Sequence, residues 1–189
     1  MKYHAQMNGF TLIELMIGVA LAAIILTMAV PSFSTAMKNN KVVTATNELI
    51  VDINFARGEA VKRGKPVVLC RSASPANATP TCSGTANNWS SGWLVFVDTN
   101  ADDSYDPATD LLVRVGNPAD KGLTIKTNTT ANQDLIYNPD GTTKTGGNTA
   151  VFAVCDDRGK NEGRQVQVNA TGRPRLVAPV TNSCDTPTV

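Results

Sequence analysis

From Phe10 to Val30 the chain reads FTLIELMIGVALAAIILTMAV, 21 residues that carry a single charge, Glu14. That length is enough for a helix to cross a bilayer. Pro31 follows at once and predicts a kink or a break in the helix. The pattern then becomes amphipathic. Val42, Ala45, Leu49, Ile53, Ala56 and Ala60 recur every three or four residues, with Lys38, Lys41, Glu48, Asp52, Arg57 and Lys62 between them. This spacing predicts a helix with one apolar face. Gly64, with Pro66 two positions on, predicts where it stops.

Past Lys65 the apolar residues come in short runs: VVLC (67–70), WLVFV (93–97), LLVRV (111–115), LTIK (123–126), LIY (135–137), TAVFAVC (149–155), RQVQV (164–168) and RLV (175–177). Pro-Asp-Gly at 139–141 and Gly-Gly at 146–147 predict turns. One long helix followed by a series of strands predicts an α+β fold, the helix laid across antiparallel sheets. The expected organisation is a hydrophilic leader (1–9), a transmembrane or filament-core helix (10–30), an amphipathic helix (31–64) and a β-rich head (65–189).

A secretory signal would have an apolar core of roughly 7–15 residues. This span is longer and reads as an anchor. Lys2 ahead of it, with no acidic neighbour, predicts a cytoplasmic N-terminus and a translocated head. Without Lys2 the remaining 16 basic residues balance 16 acidic ones, so net charge neither favours nor excludes an anionic partner. Four cysteines, Cys70, Cys82, Cys155 and Cys184, allow three pairings; spacing favours Cys70–Cys82 and Cys155–Cys184. An even count beyond a membrane span fits an oxidising compartment.

Glu14 needs a partner. A carboxylate at the centre of a membrane helix costs about 2.5–3.5 kcal/mol, less near an end, and such groups are usually paired. The span offers no base. A cut between Gly9 and Phe10 would free an amine about 6 Å along the axis from Glu14. Within one helix that amine is badly placed, but a neighbouring subunit's amine could reach. The alternative is a carboxylate that snorkels to the headgroups.

MKYHAQMNG followed by FTLIELMIGV resembles the leader and N-terminus of type IV prepilins. That resemblance implies cleavage after Gly9 by a prepilin peptidase, N-methylation of Phe10, and an assembly role for Glu14. The stretches ARGEAVKRGKPVVL, WSSGWLVFVDTNADDSYDPATDLLVRV and AVFAVCDDRGKNEGRQVQVNATGRPRL resemble the GspH/FimT group of minor pilins and pseudopilins. The resemblance implies a single-pass inner-membrane protein with a periplasmic head, later built into a filament with other pilins.

Gly172-Arg173-Pro174-Arg175 is the sharpest candidate site. Strand alternation puts Arg173 and Arg175 on one face, and Pro174 confines the segment to a sheet edge. Gly172 permits a sharp turn. Two planar guanidiniums suit phosphate; surface arginines on an edge also serve simply to discourage aggregation. The pattern resembles the GRxR motif of FimT-like minor pilins, which implies sequence-independent binding of double-stranded DNA during natural transformation. Arg158, Lys160 and Arg164 would widen the patch, diluted by Asp156, Asp157 and Glu162. The alternatives are a type II secretion pseudopilin that contacts secretion partners, and a structural priming pilin that binds no DNA.

Asp98, Asn100, Asp102 and Asp106 follow the opening spacing of a calcium loop. Position six is Asp103 instead of glycine, and position twelve is Thr109 instead of glutamate. A solvated turn is the simpler reading. Trp89 and Trp93 flank a Ser-Ser-Gly turn; stacking on bases is conceivable, but packing in the core is expected, for Trp93 above all. The one histidine, His4, lies in the leader, and no nucleophile, zinc or phosphate-loop motif is present. Neither a cofactor nor catalysis is expected.

Overall fold

The computed structural model describes residues 10–85, 87–128, 134–144, 149–180 and 183–188. The leader with Gly9 and the Gly146–Gly147 turn lie outside the described residues. The chain forms two compact units, Met1–Lys38 and Asn39–Val189.

Helix α1 runs from Leu12 to Arg63. The break expected at Pro31 is absent, because one proline removes a single i→i−4 bond while the flanking turns keep theirs. In the first unit Thr11 caps the helix: its Oγ1 accepts the Glu14 amide at 3.3 Å. Glu14 thereby sits in the first turn, where the exposed amides favour a carboxylate. The described side chains between Phe10 and Val30 are exposed, and the helix is long and apolar enough to cross a membrane.

In the second unit Val42, Ala45, Leu49, Ile53, Ala56 and Ala60 are all buried, as their spacing predicts. Gly64 ends the helix at φ +64°, its amide donating to the Ala60 carbonyl at 3.0 Å. Eight strands follow among the described residues: β1 (Val67–Arg71), β2 (Trp93–Val97), β3 (Leu111–Gly116), β4 (Thr124–Thr127), β5 (Asp134–Tyr137), β6 (Ala150–Cys155), β7 (Arg164–Val168) and β8 (Pro174–Val177). They form two antiparallel sheets, ordered β3-β2-β1-β5 and β4-β6-β7-β8. Alternation sends Val67, Leu69, Val95, Val97, Leu135 and Tyr137 of the first sheet into one core with the helix face. Phe152, Val154, Val166 and Val168 of the second sheet join them.

Part of each sheet's outer face is covered by a stapled segment. Cys70–Cys82 holds Cys82 against Val68, Leu94 and Phe96. Cys155–Cys184 ties the C-terminal segment over Ala153, with Val180 packed beneath it. This is the pairing that spacing favours. Asp52 departs from its expected place in the polar stripe. It is buried at 3 % exposure, accepting the Trp93 Nε1–H at 2.8 Å, with Arg114 Nε 2.6 Å from its other oxygen. Both tryptophans are core. Trp89 is fully buried edge-on against Phe152, 5.1 Å between centroids, and cannot stack on a base.

Candidate nucleic-acid interface

Strand β8 lies at the edge of its sheet, paired only with β7. Pro174 opens the strand, where its missing N–H costs no ladder bond. The register sets Pro174 opposite Val168 and Arg175 opposite Gln167. Val166 and Val168 face the core, so Arg175 stands on the outer face. Arg173 and Arg175 are both exposed, and neither side chain makes a hydrogen bond or ion pair with another described residue.

Gly172 is buried and shapes the site without presenting a side chain to it. Its amide closes a turn onto the Asn169 carbonyl at 2.9 Å, and its φ is +76°. Its carbonyl accepts the buried Tyr137 hydroxyl at 3.0 Å. Burial pushes the Tyr137 phenol well above its ordinary pKa, with Arg57 opposing the rise. A Cβ on Gly172 would fall 2.2 Å from the Gly141 carbonyl oxygen. The 169–172 turn is thus seated directly on the 138–141 turn. Thr143 clamps it from the side, its amide on the Ala170 carbonyl at 3.0 Å and its hydroxyl on the Asn169 carbonyl at 3.2 Å. From the helix, Arg57 Nε donates to the Gly141 carbonyl at 3.0 Å. The arginine pair therefore leaves a built platform where β5, at the edge of one sheet, meets the turn into β8, at the edge of the other.

The wider basic patch does not assemble. Arg158 chelates Asp156 through Nε at 3.0 Å and Nη2 at 2.6 Å, and Nη1 reaches the Asn39 side-chain oxygen at 2.8 Å. The Asp156 carboxylate raises the Arg158 pKa above its ordinary value. Lys160 is exposed on the β6–β7 turn. Arg164 alternates with Val166 and Val168, on the opposite face from Arg175. Arg164 also lies about 10 Å along the ladder from the level of Arg175.

The aspartate loop is likewise engaged with its own backbone. Asp98 is buried, and its two oxygens accept the Ala101 amide at 2.8 Å and the Asp103 amide at 2.9 Å. Asn100 donates to Asp102 at 2.8 Å, Asp102 accepts the Ser104 amide at 2.9 Å, and Asp106 accepts the Ala108 amide at 2.9 Å. Among the described residues no cluster of acidic, histidine or cysteine groups is arranged to hold a metal. Tyr105 packs its ring 5.0 Å from Phe96, so the loop closes the outer face of the first sheet.

The family of the prokaryotic N-terminal methylation motif matches residues 5–30, which contain Gly9, Phe10 and Glu14. The family of the type II transport protein GspH matches residues 45–172. The chain belongs to the GspH family. Two crystal structures of the type IV minor pilin FimU from Pseudomonas aeruginosa (strain PAO1) share the fold of this GspH-family protein. One is 21 % identical with a TM-score of 0.57, covering 77 % of this chain and 96 % of its own. The other is 20 % identical with a TM-score of 0.52, covering 75 % and 98 %. No curated protein matches the chain. A pilin-like α+β fold is thereby shown. The GspH match ends at Gly172, one residue before the arginine pair.

Arg57, Tyr137, Gly141 and Thr143 are the residues of this site that sequence reasoning misses. The Pro-Asp-Gly turn is visible as a turn, but no local signal says that another turn rests on it.

Proposed function

We propose that this GspH-family chain is a minor type IV pilin that joins a filament through its apolar helix and binds duplex DNA, without regard to sequence, through Arg173 and Arg175. The methylation motif supports processing at Gly9/Phe10 and assembly with other pilins. Its span supports a membrane-anchored precursor, which we take to have a cytoplasmic N-terminus and a periplasmic head. Glu14 then meets the freed amine of the adjacent subunit. The observation that carries the DNA reading is the exposed arginine pair, Arg173 just ahead of edge strand β8 and Arg175 within it, behind a turn held by Thr143 and Tyr137. Phosphate offers each guanidinium a matching pair of acceptors, and such contacts carry affinity but no base information.

The test is a gel shift of residues 34–189 with double-stranded DNA at low salt. Arg173→Gln with Arg175→Gln should abolish the shift and leave the melting temperature in place. An unchanged shift refutes the DNA role. A second reading has its own support in the family's printed description, a type II transport protein: a pseudopilin whose head contacts secretion partners. On that reading the double variant impairs protein secretion and has no effect on DNA.

A further inference from the structure

We propose that Arg57, on helix α1, is a third phosphate-contacting cation of this surface, beside Arg173 and Arg175; the inference rests on the DNA reading above. Arg57 lies in the amphipathic helix, far from the motif in sequence, and the fold brings it to the turn. Its Nε is bound to the Gly141 carbonyl, and a Cβ on Gly172 would come within 3.2 Å of that nitrogen. The guanidinium therefore lies against the backbone that leads directly into Arg173.

A guanidinium has five N–H donors. At Arg57 the Gly141 carbonyl takes the one on Nε, and the four on the terminal nitrogens have no acceptor among the described residues. The side chain is only partly exposed, so water does not surround those donors freely. No carboxylate among the described residues is bonded to it. Asp140, on the same turn, accepts the Thr142 amide at 2.9 Å and hydroxyl at 2.6 Å. Glu59, on the same helix, is paired with Lys62 and Arg63. A partly buried cation with unmet donors and no ion-pair partner among the described residues, lying against the backbone that leads into Arg173, is a site for an anion. A phosphate oxygen pair fits the terminal edge of the fork, while the Nε–Gly141 bond holds the guanidinium plane in place.

The test uses the full chain in nonionic detergent, titrated by fluorescence anisotropy with a random-sequence duplex across a salt series. Each phosphate contact contributes about 0.9 to the slope of log K against log salt. Arg57→Gln should therefore lower the slope by about 0.9, and Arg57→Lys, which keeps the charge but loses the Gly141 bond, should retain the wild-type slope. A merely structural role would make Arg57→Lys behave like Arg57→Gln, and that result overturns the proposal. If Arg57→Gln keeps the wild-type slope while the Arg173→Gln/Arg175→Gln chain no longer binds, Arg57 is excluded and the DNA reading stands. Full binding by the double variant overturns both. A measurement on the unmutated chain covers the case in which Arg57→Gln does not fold. The Arg57 Nε–Hε resonance should shift as duplex is added, and a resonance that stays still at saturation also overturns the proposal.

Discussion

Replacing Gly172 by alanine asks whether the turn ahead of the arginine pair is a built feature. At φ +76° an alanine enters the left-handed region, at a cost of about 1–2 kcal/mol. Its Cβ would also lie 2.2 Å from the Gly141 carbonyl oxygen and 2.8 Å from Tyr137 Cε1. Ordinary contact requires one turn to move by about 1 Å or more. That shift breaks the Tyr137–Gly172 hydrogen bond and strands a buried hydroxyl, a penalty of about 1–3 kcal/mol. The total is about 2–5 kcal/mol. At roughly 2–4 °C per kcal/mol for a domain of this size, the melting temperature should fall by about 4–20 °C. Asparagine separates the two causes. It tolerates positive φ, yet its Cβ meets the same oxygen, so Gly172→Asn should not restore stability. Thermal melts by circular dichroism and DNA titrations of both variants are the assay. If either variant melts and binds like the wild type, the platform does not position the arginines.

Two further predictions concern charges inside the head. Asp52→Leu leaves the buried Trp93 N–H without an acceptor, whereas Arg114, 40 % exposed, can turn to water. It should destabilise by about 1–3 kcal/mol, and Asp52→Asn, which keeps an acceptor, by clearly less; equal melting temperatures for the two would refute this. Burial pushes the Asp134 carboxyl up to about 7, against the Arg71 guanidinium and helped by the Asp103 carboxylate. A carboxyl that holds its proton more tightly when folded stabilises fully below the unfolded pKa of ~3.9 and loses that contribution as pH rises to about 7. The melting temperature should therefore decline across that window, and Asp134→Asn should flatten the decline; an identical pH profile for the variant would show that Asp134 is not its source.

Much of the fold is legible in the chain because each element carries its own period. The buried stripe from Val42 to Ala60 recurs at helical spacing, and the eight apolar runs alternate or are bounded by turn residues. What escapes is whatever depends on a partner distant in sequence. Asp52 reads as a solvent-facing charge because nothing near it announces the Trp93 indole that takes it into the core. Arg57 reads as one more polar position between apolar ones, and Gly172 as a simple point of flexibility, because their meeting over the Gly141 carbonyl is a tertiary event. Arg158 shows the reverse case. Asp156, two residues away, is visible in the sequence, but only the geometry shows that it occupies the guanidinium so fully that Arg158 adds little to a basic surface.

Transformation of cells that produce this chain measures together the two halves of the proposed function, assembly at Glu14 and DNA capture at Arg173 and Arg175. Cells with Arg173→Gln and Arg175→Gln should retain the subunit in sheared filaments but lose uptake of added DNA, whereas cells with Glu14→Ala should lose both incorporation and uptake. Undiminished transformation in the arginine variant would remove the DNA role, and incorporation untouched by Glu14→Ala would remove the assembly role.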